Sequence, residues 1–250
     1  DHRDLHSLRR RQRQMCIRDR SVVVGLAILG MTSVLVVVLM PSIAPEEYRP
    51  LLPEPSPAIA LADCIGNLWQ IGGLAACVLA GASIPSEVER GTMELLLSAP
   101  VRPWEAVASK YASRAAMIAT AVQTSAIATW AYSHVLGSYP LTRLITAALH
   151  LTLALTVVTA FSTVAGTLLK GQTTAIICSI ALNLTIALLK TVAPQGSRLR
   201  QIHPFTCIDV AYKIIGLEAT AGTLTPIIVS TGYIAPVSYT HLTLPTTERV

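Results

Sequence analysis

Apolar runs too long for any buried strand decide what this chain can fold into. Val22–Met40 is almost unbroken in Val, Leu, Ile and small residues. About 20 such residues, rising about 1.5 Å each as a helix, cross the hydrocarbon core of a bilayer. The Val-rich composition would suit a strand if the run were short, but its length selects a membrane helix. Comparable runs cover 58–84, 106–136, 144–169 and 173–192, and a further one begins near Leu224 and stops at Val237. Pro41 and Pro45 end the first run, Pro85 closes the second, Gly137–Pro140 forms a tight turn, and Lys170–Gln172 is a very short connection. The expected fold is all-α and polytopic, with five complete transmembrane helices and a truncated sixth. Val210–Leu217 reads as a short interfacial helix before the last span. Only 13% of the residues are charged, against about 25% in an ordinary soluble domain.

The net charge of +5 suggests an anionic partner until the charges are located. Residues 6–19 and 237–250 can be back-translated into complementary strands, with residue i pairing with residue 256 − i from His6/Val250 to Asp19/Val237. The two ends therefore resemble one stretch of adapter DNA translated from opposite strands, and such scars are set apart from fold reasoning. Three segments are expected: 1–20 and 237–250 as adapter-derived sequence, and 21–236 as the membrane domain of a fragment lacking its native ends. Residues 21–236 hold eleven Lys/Arg and ten Asp/Glu, so the basic excess nearly vanishes and gives no reason to expect a nucleic-acid partner. The lysines and arginines divide five to six between the two sides of the expected membrane, which fixes no orientation. Cys64, Cys77, Cys178 and Cys207 show no CxxC spacing, so neither a disulfide nor a metal framework is implied.

Genuine charge is concentrated in one place, Ser86–Arg114. Ser86 and Glu89 have the spacing of a capping box. Gly91 interrupts, and Thr92 can cap the next helix. Met93–Ser98 reads as that helix, short and apolar, with Glu94 in its first turn, where a carboxylate suits the helix dipole. Pro100 stops it, and Pro103 can open the next helix. The result is a short amphipathic helix between the second and third spans, bounded by breakers, a form suited to passing force from a soluble partner to membrane helices.

The string Glu89-Arg90-Gly91-Thr92-Met93-Glu94-Leu95-Leu96-Leu97-Ser98-Ala99-Pro100-Val101 resembles the E-(R/K)-G-T-x-E-x-L-L-x-(S/T)-P-V signature of type-2 ABC exporter permeases. The resemblance implies six membrane helices, short helices in an outer loop before the last span, and a cytoplasmic coupling helix between spans two and three. It assigns Glu89, Gly91, Thr92, Glu94, Leu96 and Pro100 to contact with a separate ABC ATPase subunit. It further implies a pair of permeases, as homodimer or heterodimer, in the plasma membrane of a prokaryote. The chain contains no GxxxxGK[ST] phosphate loop. No cofactor is therefore expected in the chain itself, and ATP and Mg²⁺ belong to the partner. Transport would be efflux by alternating access.

Asp63, Asn67 and Gln70 lie at helical spacing along the second span. They are candidates for the substrate path, because polar groups at membrane depth are costly and often functional; helix–helix hydrogen bonding is the competing role. Gln123, His150 and Asn183 are isolated polar residues better suited to interhelical bonds or an interfacial position than to a transport role. An intramembrane enzyme would need a catalytic constellation, and the sequence has neither HExxH nor GxSxG. No catalytic residue and no metal site is expected. A non-catalytic scaffold or sensor subunit would share the topology but leave the signature unexplained.

Overall fold

A computed structural model describes residues 24–26, 28, 31–49, 52, 54–93, 102–192, 203–216 and 228–234. Both expected adapter segments, 1–20 and 237–250, lie outside the described residues, and so do Glu94, Leu96 and Pro100. The described residues are helices joined by turns.

α1 is Val24–Ile43, α2 is Pro57–Gly81 and α3 is the short Pro85–Glu89. α4 is Pro103–Ser133, α5 is Leu141–Leu168, α6 is Gln172–Val192 and α7 is Thr206–Ile215. A helical stretch at 228–234 comes last. Three helices open on proline in the first turn, where its missing N–H costs no hydrogen bond. α2 is also capped, as Ser56 Oγ accepts from Ile59 N at 3.3 Å.

Among the described residues, four helices are long and apolar enough to cross a membrane: α1, α2 continued through α3 to Glu89, α5 and α6. The expected third span, α4, has the length at 31 residues. Its apolar run is diluted by Thr120, Gln123, Thr124, Ser125 and Thr129, which is why it falls outside that group. It nevertheless packs into the bundle against α2 and α5. The expected sixth span is described only at 228–234.

α5 is the central helix and contacts α2, α4, α6 and α7. Small residues such as Ala147, Ala148, Ala154 and Gly166 let its neighbours approach closely, while Leu151 and Leu155 interlock with Leu61, Leu68, Ile118 and Val122. Several of its hydroxyls donate within the helix itself. Thr152, Thr159 and Thr163 bond the carbonyls of Ala148, Leu155 and Thr159, each at 2.8 Å. α6 is the opposite case: 11% of its apolar window is buried, against 61% for α5. α1 leans on α2 through Val34, Val37 and Ala60, and Leu26 O accepts from Ser125 Oγ of α4 at 2.9 Å.

Candidate coupling site

The short segment between the second and fourth helices is built by local chain chemistry. The turn at 82–84 breaks α2, and Pro85 then starts α3. Pro85 therefore opens a helix as well as interrupting one. The expected capping box does not form, because Ser86 already lies inside α3 and its hydroxyl donates to Ser83 O at 3.3 Å. The Glu89 carboxylate points elsewhere: its Oε1 accepts from Gln172 N, the first residue of α6, at 2.7 Å. That N–H has no partner within its own helix, and a carboxylate there also suits the positive end of the helix dipole.

α3 ends at Glu89 with Arg90 as its cap, and the next residue, Gly91, has a φ of +68° in the left-handed region that favours glycine. A Cβ at Gly91 would meet nothing within 4 Å, so conformation and not crowding explains the residue. Thr92 Oγ1 then donates to Glu87 O at 3.1 Å and folds the chain back on α3. Two residues before Glu89, the Glu87 carboxylate forms an ion pair with Lys110 of α4. The start of α4 is fixed by Pro103 and by Glu105, whose Oε2 accepts from Arg102 N at 3.2 Å.

Glu89, Gly91 and Thr92 thus come together at one end of the bundle, beside the α5–α6 turn. Glu87, Lys110 and Gln172 complete the arrangement and were not singled out by the sequence. The pairs 87/110 and 89/172 are far apart in the chain, and no local pattern announces them. Behind the segment, helices cross closely on small residues. A Cβ on Gly166 would stand 2.7 Å from Gly81 O, and one on Gly81 would stand 2.7 Å from Ser179 Oγ.

The α2 polar residues have different surroundings. Asn67 Nδ2 donates to Ser33 Oγ at 3.2 Å and ties α2 to α1. Asp63 and Gln70 are exposed on the outer surface of the bundle. Gln123 donates to Thr152 Oγ1 at 3.0 Å, an interhelical bond. His150 Nδ1 bonds its own helix at Thr146 O, 2.7 Å away. Asn183 lies against the Gly73 side of α2. Among the described residues, no group of three or more His, Cys, Asp or Glu is arranged to hold a metal.

The opposite end of the bundle is also tied together. Trp130 Nε1 donates to Tyr139 O at 2.8 Å, and Tyr139 Oη donates to Ile215 O at 3.0 Å. The chain entering α7 is pinned to α6: Lys190 Nζ donates to Phe205 O at 3.0 Å and to Asp209 Oδ1 at 2.8 Å. His203 Nε2 bonds Ile186 O at 2.9 Å, and its Nδ1 accepts from Phe205 N at 3.2 Å. A carbonyl can only accept, so Nε2 carries the proton and the ring is neutral. Burial holds this imidazole below the usual histidine range, and nearby Lys190 adds to the effect, against the Ile186 hydrogen bond and the Asp209 charge.

The described residues thus form a bundle of long apolar helices with a charge-tethered short segment at one end, the form of a polytopic membrane protein. Compared with known families, residues 14–235 match the family described as ABC-2 family transporter protein. The chain belongs to that family and is a membrane permease component of an ABC transporter, which implies partnership with an ABC ATPase subunit. No curated protein matches it closely enough to count as a relative.

Proposed function

We propose that the chain is the membrane half of an ATP-driven exporter, with ATP hydrolysed by its partner and substrate expelled by alternating access. The observation that carries this reading is the placement of Glu89, Gly91 and Thr92 on a short turn tied to the ends of two long helices. The remaining coupling residues are Glu94, Leu96 and Pro100. Leu96 would fill a groove on the ATPase and Glu94 would pair with its donors. Two permeases work together, as homodimer or heterodimer, in a prokaryotic plasma membrane. The exposed Asp63 and Gln70 would line the path between the two copies, since a carboxylate facing hydrocarbon is costly. Double substitution of Glu94 and Gly91 should leave membrane insertion intact and abolish transport-coupled ATP hydrolysis. Coupled hydrolysis that survives the double substitution returns the chain to the scaffold reading.

A further inference from the structure

Glu87 and Glu89 are two residues apart on one short helix, and residues at that spacing point to opposite sides of it. Each carboxylate therefore reaches a different span. Glu87 pairs with Lys110, two turns into α4. Glu89 accepts from the first amide of α6. Gly171 sits between α5 and α6 with φ +102°, and the Glu89 carboxylate lies 3.8 Å from where its Cβ would be. Thr92 holds the following turn onto Glu87 O, so both carboxylates ride on the same folded unit.

We infer that Glu87 and Glu89 are positioning residues that divide the movement of this segment between two helices, Glu87 carrying α4 through Lys110 and Glu89 carrying α6 through the Gln172 amide. The inference rests on the coupling role proposed above and specifies how it is transmitted. α4 is packed within the bundle, whereas α6 is mostly uncovered. One displacement at the segment therefore has two different consequences: a tilt of α4 within the core, and a shift of α6, which packs on α2 and α5 along one face only. A carboxylate–amide bond suits the second link because it acts along the helix axis, on a donor that no other part of α6 uses.

The test uses the permease reconstituted with its ATPase partner. A spin label at Arg90→Cys is paired either with native Cys178, exposed on α6, or, in a Cys178→Ser background, with Ser113→Cys on α4. Distances are recorded without nucleotide and with ATP plus vanadate. In the otherwise unmodified protein both separations are expected to persist, because the segment carries each helix with it. Glu89→Ala should let the 90–178 separation change on trapping while 90–113 holds, and Glu87→Ala should do the reverse. Coupled hydrolysis should fall about tenfold in each, the scale of losing a hydrogen bond to a charged group. Glu89→Gln keeps an acceptor oxygen and should restore the 90–178 separation. The swapped pair Glu87→Lys with Lys110→Glu should restore 90–113. A Glu89→Ala protein whose 90–178 separation behaves as in the parent, or in which both separations change together, overturns the inference. A parent complex with no transport-coupled hydrolysis overturns the coupling reading instead.

Discussion

Gly166 of α5 meets the carbonyl oxygen of Gly81 so closely that one added methyl carbon would lie 2.7 Å from it. The obstacle is backbone, which cannot swing aside as a side chain can. Gly166→Ala should therefore push α5 away from α2 and destabilise the bundle by about 1–3 kcal/mol, the usual cost of overpacking. Gly66→Ala is the informative contrast. Its Cβ would meet the Tyr212 hydroxyl at 2.7 Å, the far end of a side chain that can rotate. Unfolding in detergent–denaturant mixtures should rank Gly166→Ala well below Gly66→Ala, and equal losses would contradict the distinction.

The loop before α7 should loosen in acid. His203 is neutral in the folded loop, donating through Nε2 and accepting through Nδ1, and its affinity for a proton is lowered by burial. Released from the loop it would titrate near the usual histidine value of about 6.5. The released form therefore binds more protons, so docking strengthens as pH rises through that region and weakens as pH falls below about 6.5. Exchange of the Phe205 amide, corrected for its intrinsic rate, should quicken from pH 7.5 to pH 5.5. His203→Gln, which cannot titrate there, should flatten that dependence.

Lys190 does two jobs at the same end of the bundle, holding both Phe205 O and Asp209. Its side chain is 14% exposed and that of Asp209 is 37% exposed, so the lysine's bonds are the better shielded from water. Lys190→Ala should cost about 1–3 kcal/mol. Asp209→Ala should cost less, because the Phe205 bond survives. A melting series that finds Asp209→Ala the more damaging would reverse the assignment of the stronger tie.

Asn67 and Asp63 should separate in their effects although they lie one turn apart. Asn67→Leu breaks the bond to Ser33, whose hydroxyl is buried. Bonds of this type within membranes average about 0.6 kcal/mol, so a small, measurable loss of α1–α2 association is expected. Asp63→Asn should leave that association unchanged while altering substrate efflux. Crosslinking between α1 and α2, read beside transport, distinguishes the two outcomes.

Much of this architecture was legible in the sequence because hydropathy and proline are local signals. The runs at 58–84, 144–169 and 173–192 match α2, α5 and α6 within a few residues. Pro103 opens α4 as its position suggested. The status of α4 was harder to read, because a helix packed against others can exchange apolar bulk for Ser, Thr and Gln without losing its place. Glu89 looked like a partner to Ser86 because three-residue spacing is all that a sequence displays, and Gln172, its actual donor, is 83 residues away. The Lys190–Asp209 and His203–Ile186 ties were hidden for the same reason: loops that return to a helix are joined by geometry and leave no periodic trace. For the candidate site the sequence offers a stretch of chain and its residue types, whereas the ties of Glu89 to Gln172 and of Glu87 to Lys110 are not legible in it.

α6 also has a consequence for the membrane around it. Among the described residues it is the candidate span least buried within this chain. Its 21 residues rise about 31 Å, close to the roughly 30 Å of a typical hydrocarbon core. Gln172 is held by Glu89 at one end and Lys190 by Asp209 near the other. A bilayer thicker or thinner than this span loads those two ties first, since tilting α6 to relieve the mismatch must pull on one of them. Lipid chain length thereby becomes a mechanical input to the same helix that Glu89 holds through Gln172.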